Sequence, residues 1–455
     1  MTTTITPTAP PRAPVAPDNG AAPVVEASSQ FRRLATTTPG RLRIQSIVVV
    51  ALAAIAGLLS SFVVADRLSD TARIADQAAP VIVNARQVQT NLAEANAAAA
   101  TAFLAGGVEN PEQRAIYESS LAAAATELAS ATRLIGNDDE ANLALQAMTA
   151  ALPRYGGLIE TARANNRQGF PVGAAYLSAA SKLLEDEIYP NTDLVANRAA
   201  ERYRQAYDRQ RGLSLVFGAV AAGLNLALVA TLLYLLAQLR RRFKRTVNPP
   251  IALAMAVAVA LSGWLIFSLV NQSSHLRTAR VDGYQGTRLY LDIRGNGFGA
   301  KADEARFLIA RGAGASFEAS FTSADNSRVA VMDKARASLD GHAAASARSG
   351  STAAVGATYA AWQAYVDVHN EVIAADRNGD RASAVNTALG DASSAFDTFN
   401  QATGDALAAN QAQFQAEMDQ AKQALRGIQY GSLVAVLLIA AAAAYGLQLR
   451  INEYR

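Results

Sequence analysis

Two short stretches of the chain have residue types and spacing that suit phosphate or calcium chemistry. Residues 295–301 read Gly-Asn-Gly-Phe-Gly-Ala-Lys, and glycine-rich loops cradle phosphates when they join a strand to a helix and end in Gly-Lys-Ser or Gly-Lys-Thr. Both conditions fail, so a flexible joint within a helix is predicted. Residues 376–380 read Asp-Arg-Asn-Gly-Asp and resemble the start of a calcium loop. The twelfth position is Thr387 instead of glutamate, so a turn is predicted there.

Nucleophilic and metal chemistry have few side chains to draw on. The chain has no cysteine, which excludes disulfides, thiol nucleophiles and cysteine zinc sites. Its three histidines, His275, His342 and His369, are scattered, with no second ligand at helical spacing. No nucleophile–base pair or pair of catalytic carboxylates follows from the spacing. The sequence therefore predicts a protein that is not an enzyme and that uses neither a metal nor a cofactor.

Arginine supplies the candidate binding residues. Arg86, Arg114 and Arg133 are candidate contacts for a carboxylate ligand, because a guanidinium binds a carboxylate through two parallel hydrogen bonds. The alternative is that they belong to solvated helix faces. One run of basic residues is a candidate contact for lipid headgroups or for an acidic cytoplasmic partner. It consists of Arg240, Arg241, Arg242, Lys244 and Arg245. Nucleic acid is not a predicted partner, since the net charge is only +3 and forms no broad basic face.

The amino-terminal segment has a composition typical of disordered chains. Residues 1–43 are rich in proline, threonine and alanine and are predicted to be a disordered cytoplasmic tail. Thr36, Thr37 and Thr38 follow the pair Arg32-Arg33, a pattern that basophilic serine/threonine kinases accept. These threonines are candidate phosphorylation sites.

Four uncharged apolar runs are long enough to cross a bilayer, which requires about 20 helical residues. They are Ile44–Ala65, Gly212–Leu239, Pro249–Val270 and Gly427–Gln448. Arginines beside the first run, between the second and third, and after the fourth predict a plasma-membrane protein with both termini in the cytoplasm. The basic loop at residues 240–248 outweighs the arginines that precede the second run on its other side. Within the second run, Asn225 is predicted to form a hydrogen bond between helices.

Helical periodicity dominates the two segments predicted to lie outside, residues 66–211 and 271–426. A seam of small and apolar residues with steps of three and four runs from Ile74 to Ala102, and a second runs from Phe396 to Leu425. Breakers divide each segment into four helices. Pro80 and Pro190 predict kinks in the first segment, with no counterpart in the second. A cytoplasmic tail at residues 449–455 completes the organisation.

An internal repeat relates the two outer segments. Tyr155–Gly169 aligns without gaps with Tyr365–Gly379, and Thr101–Leu104 matches Ala305–Leu308. The predicted fold class is an all-α membrane protein with four transmembrane helices and two extracytoplasmic four-helix bundles related by duplication.

Helical outer domains that each lie between two spans resemble the ligand-sensing domains of bacterial chemoreceptors and sensor kinases. No long cytoplasmic signalling region follows Gln448, and the whole architecture resembles the GlnX-type membrane proteins of actinobacteria. That resemblance implies an extracytoplasmic solute-binding lipoprotein and a cytoplasmic serine/threonine protein kinase as partners. The expected function is relay of an extracytoplasmic amino-acid signal to that kinase. Membrane lipids and a second copy of the chain, as a homodimer, are further expected partners.

Two other functions fit the same residues. One is a direct sensor that binds a small anionic ligand between its outer helices, as chemoreceptors do. The other is a structural or assembly protein of the cell envelope. Binding of amino acids to the protein without a lipoprotein distinguishes the first, and a normal downstream response in cells that lack the protein distinguishes the second.

Overall fold

The computed structural model describes residues 38–107, 110–243, 248–323 and 349–452. These residues form helices joined by short turns, with no strand among them, which confirms the all-α prediction. Thr36, Thr37, Lys244 and Arg245 lie outside the described residues, as do residues 1–37. The backbones of Thr38 and Arg242 are helical, and their side chains are outside the description.

Within the described residues, the first half of the chain forms six α-helices and two π-helical turns. In order these are α1 (Thr38–Arg73), π1 (Ile74–Ala78), α2 (Ala79–Ala105), α3 (Pro111–Leu134), α4 (Asp139–Arg167), α5 (Val172–Leu183), π2 (Leu184–Ile188) and α6 (Tyr189–Phe243). The second half contains α7 (Pro249–Thr278), π3 (Ala279–Tyr284), α8 (Gln285–Ile309), α9 (Ser349–Arg377), α10 (Arg381–Leu389) and α11 (Asp391–Asn452). Residues 315–323 form a further helical stretch.

Capping side chains mark the starts of three helices, and the turn predicted at residues 376–380 precedes one of them. Asn110 and Asp138 accept hydrogen bonds from the backbone amides of Glu112 (2.9 Å) and Ala141 (3.1 Å) at the starts of α3 and α4. Asp380 accepts one from the Ser383 amide (3.0 Å) at the start of α10, and the preceding Gly379 has φ +83°. The stretch that resembles a calcium loop is therefore a helix-capping turn.

A π turn occurs in both halves of the bundle unit. In the first half, π1 and π2 end just before Pro80 and Pro190, where a proline ring removes a backbone donor and displaces the preceding turn. The second half contains π3, although it has no counterpart of these prolines. Gly283 lies within π3, and a Cβ built on it would be 2.7 Å from the Cα of Phe414 on α11. A close approach of two backbones therefore accompanies π3.

The helices divide into two compact units, and α1, α6, α7 and α11 contribute to both. The span unit consists of Met1–Ser61, Ala219–Leu265 and Tyr430–Arg455, and the bundle unit of Phe62–Gly218 and Ile266–Gln429. Among the described residues, four helices are long and apolar enough to cross a membrane. They contain the first, third and fourth predicted runs, and the second predicted run from Val216 onward. This is compatible with a multi-pass membrane protein.

The core of the span unit draws apolar side chains from all four helices, including Val49, Leu232, Ile251 and Leu447, each fully buried. Glycines allow close contact at three positions: a Cβ on Gly57 would meet Val436, one on Gly431 would meet Trp264 and one on Gly446 would meet Ile251. Gly218 and Gly223, by contrast, have open space where a Cβ would lie. Gly57, Gly431 and Gly446 are therefore packing residues of the span unit.

Both halves of the bundle unit share one apolar core. It includes Tyr155 from the first half with Trp362, Tyr365 and Phe399 from the second, all fully buried. The predicted seams from Ile74 to Ala102 and from Phe396 to Leu425 lie in the protein interior, with Ala78 alone half-buried. Helix α2 is buried on most of its surface and is rich in alanine, which is the pattern of a helix at the centre of a unit.

Candidate functional site

The contact between α2 and α8 joins the two halves of the bundle unit. Thr90 donates a hydrogen bond to the Leu291 carbonyl (3.2 Å), 201 positions away. Nearer the start of the unit, Gln272 donates to Thr71 (3.1 Å), also 201 positions away, and Arg67 donates to Gln272 (3.1 Å), 205 positions away. This nearly constant separation means that the two first helices run parallel. It is also close to the separation of Thr101 from Ala305 in the sequence repeat.

Small side chains permit this contact. A Cβ built on Gly295 would lie 3.4 Å from the hydroxyl oxygen of Thr90, an ordinary van der Waals contact. The stretch from Gly295 to Lys301 belongs to an uninterrupted α8, in which Gly297 faces the ring of Phe399. Gly297 is therefore a packing residue, and the predicted joint does not break the helix.

Arg86, one of the predicted ligand contacts, connects three helices. Its Nη1 lies 2.6 Å from the Asp193 carboxylate on α6, and its Nε lies 3.7 Å from Asp292 on α8. The side chain is largely buried. Because two carboxylates already occupy this guanidinium, the contacts of Arg86 join α2 to α6 and α8.

The other two predicted ligand contacts lie on α3. The Nε of Arg114 is 2.7 Å from Glu118, and its Nη2 is 3.7 Å from Glu160 on α4. Arg133 is exposed and donates to the Ser130 hydroxyl (3.3 Å). Both have the contacts of solvated helix faces. Of the basic run, Arg240 and Arg241 are exposed at the end of α6.

A buried polar cluster, which we define as Lys301, Glu304 and His369, lies inside the second half. Lys301 Nζ donates to Glu304 Oε1 (2.7 Å) and to the Ala388 carbonyl (3.1 Å). The other Glu304 oxygen lies 2.8 Å from His369 Nδ1. Phe321 stacks on the His369 ring with centroids 3.5 Å apart. The cluster therefore joins α8, α9 and α10 and buries charge among aromatic rings.

The electrostatics of the cluster favour an ionised Glu304. Burial alone raises the pKa of its carboxyl, but the positive charge of Lys301 and the hydrogen bond with His369 outweigh burial and hold that pKa below its usual range. An isolated lysine in a helix is normally solvated, so this cluster was not predicted from the sequence. The available signal was the three-residue spacing of Lys301 and Glu304, which places both side chains on one face of a helix.

A cavity of about 490 Å³ lies between α6 and the segment formed by π3 and the start of α8. We call it the arginine cavity. Arg204, Arg280 and Arg288 line it together with a single carboxylate, Asp292. A stacked pair of rings, Tyr203 and Tyr284 with centroids 4.8 Å apart, forms part of its wall. Arg204 is far from Arg280 and Arg288 in the sequence, so no local pattern predicts that the three arginines line one cavity.

A second cavity, of about 430 Å³, lies between α2 and α11, and we call it the amide cavity. Asn84, Gln411 and Gln415 provide its polar groups, and no basic residue is among its lining residues. The two cavities have related positions: each lies between the first long helix of one half and the last long helix of the other. Their chemistry differs, because only the arginine cavity carries positive charge.

The span unit has its own polar contacts. Asn225 Nδ2 donates to the Ser60 hydroxyl (3.2 Å) on α1 and to the Ala221 carbonyl (2.8 Å). This confirms the predicted hydrogen bond between helices. Gln45 donates to Gln238 (2.9 Å) and Asn248 to the Gly446 carbonyl (2.9 Å). Paired polar groups of this kind stabilise helix contacts in an apolar environment.

Comparison with known proteins gives a match to one family model. No curated protein and no solved structure matches the chain. Residues 70–208 match the family model described as the actinobacterial sensor domain. The matched segment runs from the end of α1 through most of the bundle-unit part of α6. The first half of the bundle unit is thus similar to actinobacterial sensor domains, and this similarity supports a sensing or signalling role for the protein.

Proposed function

We propose that the protein is a transmembrane signal transducer with no catalytic step of its own. It relays an extracytoplasmic amino-acid signal, received through a solute-binding lipoprotein, to a cytoplasmic serine/threonine kinase. The observation that carries the proposal is the path of the helices: α6 and α11 run without interruption from the bundle unit, which contains the sensor-domain match, into the span unit. A stiff helix transmits a displacement of its sensor end along its axis.

Duplication of one sensor-and-span half is part of this proposal. The support is the parallel pairing of α2 with α8, in which contacting residues such as Thr90 and Leu291 are separated like the members of the sequence repeat. A π turn precedes each of the two helices. Both halves then contribute equivalent first helices to one interface, and a signal received by either half reaches all four spans.

Lysine-directed crosslinking tests the relay, because the chain has only five lysines. Lys182 is 76% exposed on α5, whereas Lys301 and Lys422 are largely buried in ion pairs. Lys244 lies in the predicted cytoplasmic loop. In cells without their wall, a membrane-impermeant amine crosslinker should join Lys182 to an amino-acid-binding lipoprotein. A permeant crosslinker should in addition join Lys244 to a serine/threonine kinase, and mass spectrometry of the linked peptides identifies both.

Charge-preserving variants provide the controls. Lys182→Arg should abolish the outer crosslink alone and Lys244→Arg the inner one alone. Reaction of Lys244 with the impermeant reagent would reverse the proposed orientation, in which both termini are cytoplasmic. The relay is contradicted if cells that lack the protein adjust kinase-dependent phosphorylation normally when extracellular amino acids change. Such a result would favour a structural or assembly role in the envelope.

A further inference from the structure

Two ion pairs cross the contact between α2 and α8, and their charges occur in opposite order along the two helices. Arg86 Nε lies 3.7 Å from Asp292, and Arg294 Nη2 lies 3.6 Å from Glu94. Along α2 the cation precedes the anion, whereas along α8 the anion precedes the cation. Because the two helices run parallel, each charge meets its opposite. We call these four residues the reciprocal pairs.

Burial makes the charges of the reciprocal pairs costly to leave uncompensated. Three of the four side chains are 13–22% exposed, and that of Asp292 is 37% exposed. Burial raises the pKa of Glu94 and of Asp292, and the charge of the arginine across the interface opposes the rise in both cases. Each carboxylate is therefore compensated by an arginine of the other half.

The pair formed by Glu94 and Arg294 depends most on the other half. Within its own half, Arg294 donates to the neutral amide of Asn400 (2.8 Å). Glu94 has a hydrogen bond with the Ser120 hydroxyl of its own half. In these contacts only the other half supplies the opposite charge.

The sequence repeat indicates what the four charges would face if two like halves paired. The repeat aligns Thr101 with Ala305, a separation of 204 positions, and we apply this separation along α2 and α8 without a gap. The counterparts of Arg86, Glu94, Asp292 and Arg294 are then, in the same order, Tyr290, Phe298, Val88 and Thr90. All four counterparts are uncharged and buried.

Like-with-like pairing would therefore separate the charges from their partners. Two first halves would set Arg86 against Val88 and Glu94 against Thr90. Two second halves would set both charges of α8 against aromatic rings. Arg86 would keep Asp193 of its own half, 2.6 Å away, but Glu94 would be a buried charge without a cation, which is strongly destabilising.

From these observations we propose that the reciprocal pairs make the two halves of the bundle unit specific for each other. The face of α2 accepts α8 and disfavours the same face of a second copy, so a homodimer of the chain uses a different surface. Selectivity of this kind comes from the cost of the wrong pairing and needs no gain in affinity for the right one. The inference rests on the proposed duplication. Its test involves neither the lipoprotein nor the kinase, so its failure leaves the relay unaffected.

An engineered disulfide reports the pairing of α2 with α8 in the full chain, which has no cysteine of its own. A Cβ on Gly295 would lie 3.8 Å from the Cα of Thr90, which is close enough for a disulfide in the variant Thr90→Cys/Gly295→Cys. In zwitterionic nanodiscs under mild oxidation, this bond should form within single chains. Mass spectrometry of the linked peptides identifies it.

Three charge variants in that background test the selectivity. Glu94→Arg places two guanidinium groups together and should slow disulfide formation by at least about tenfold. The exchanged pair Glu94→Arg/Arg294→Glu should recover most of the rate, because the Asn400 amide can donate as well as accept. The neutral pair Glu94→Gln/Arg294→Gln should react at close to the parent rate, since it leaves no charge unpaired.

A charge reversal outside the interface is the matched control. Glu118→Arg places a cation beside Arg114 on the exposed surface of α3 and should leave the disulfide unaffected. Urea unfolding of the same charge variants without the cysteines gives a second measurement. The midpoint should be lowest for Glu94→Arg, and the exchanged and neutral pairs should lie closer to the parent.

Four results would overturn the proposal. The first is a rate for Glu94→Arg equal to that of the neutral pair, and the second is no recovery in the exchanged pair. The third is a different order of the urea midpoints. The fourth is a disulfide-linked dimer of the single variant Thr90→Cys, which would show that two like halves pair across this face.

Discussion

Replacing Glu304 with alanine should lower the free energy of unfolding of the bundle unit by about 3–5 kcal/mol, the cost of leaving a buried charge without its partner. Lys301, whose side chain is 7% exposed, would keep only the Ala388 carbonyl as a hydrogen-bond acceptor, and His369 would lose its carboxylate. The chain offers a local reporter, since Trp362 is fully buried beside the cluster and the only other tryptophan is Trp264. Urea unfolding followed by Trp362 fluorescence in a Trp264→Phe background measures the loss.

The control is the same substitution at an exposed ion pair. Glu118→Ala removes the partner of Arg114 on α3, where both side chains are about half exposed, and should cost less than about 1 kcal/mol. The double variant Lys301→Met/Glu304→Leu removes both charges and should recover part of the stability lost in Glu304→Ala. Equal losses for Glu304→Ala and Glu118→Ala would show that the buried cluster contributes no more than a surface pair.

The same cluster gives the bundle unit a characteristic acid response. The pKa of Glu304 is lower in the folded protein than its ordinary value of 4.5, so its ionised form adds stability at pH values above 4.5. That contribution is lost as pH falls below 4.5 and through the folded pKa. The difference in unfolding free energy between the parent and Glu304→Ala should therefore shrink on acidification. A difference that stays constant from pH 7 to pH 3 would contradict the ionised state of Glu304.

Substituting Gly283 with alanine should destabilise the bundle unit by about 1–3 kcal/mol, the usual cost of overpacking. The added Cβ would lie 2.7 Å from both Cα and Cβ of Phe414 and 2.9 Å from its backbone nitrogen. Because these atoms belong to the backbone of α11 or sit directly on it, no change of rotamer relieves the contact. The helix itself must move away from π3. Urea unfolding with the Trp362 reporter measures the cost.

Substitutions at two other glycines test whether the backbone contact at Gly283, and not the change to alanine itself, destabilises the bundle unit. At Gly286 the added Cβ would meet the Asn410 side-chain amide, with Oδ1 1.9 Å away. Gly286→Ala should therefore be rescued by Asn410→Ala, whereas Gly283→Ala should not be rescued by any substitution at Phe414. At Gly299 a Cβ meets nothing within 4 Å, so Gly299→Ala should stabilise α8 by about 0.5–1 kcal/mol. Full rescue of Gly283→Ala by Phe414→Leu would exclude the backbone contact.

Local signals predicted that the chain is helical and that a turn precedes α10, whereas the break at Gly390 between α10 and α11 was not predicted. Asn110, Asp138 and Asp380 cap helices because their side chains satisfy amides that the first helical turn leaves unpaired. The seam from Ile74 to Ala102 predicted the buried face of α2, since burial repeats with the period of the helix. Chain topology across the membrane, the duplication and the boundaries of the predicted domains remain predictions.

Features that depend on contacts between residues far apart in the chain could not be predicted from the sequence. The shared core of the two halves rests on contacts such as Thr90 with Gly295, in which neither residue type signals a partner. The convergence of Arg204 with Arg280 and Arg288 depends on the placement of α6 beside π3, which no local pattern encodes. No proline lies beside the third π turn, so the sequence gives no sign of it. Its close contact with Phe414 arises from packing, where tertiary structure determines the backbone.

The pairing of α2 with α8 occurs within one polypeptide. Receptors assembled from separate subunits dissociate on dilution, so their response depends on how many copies a cell makes. Here the tether holds the two helices at a high effective concentration, whatever the expression level. A cell with a handful of molecules therefore retains the same fraction of paired halves as a cell with thousands.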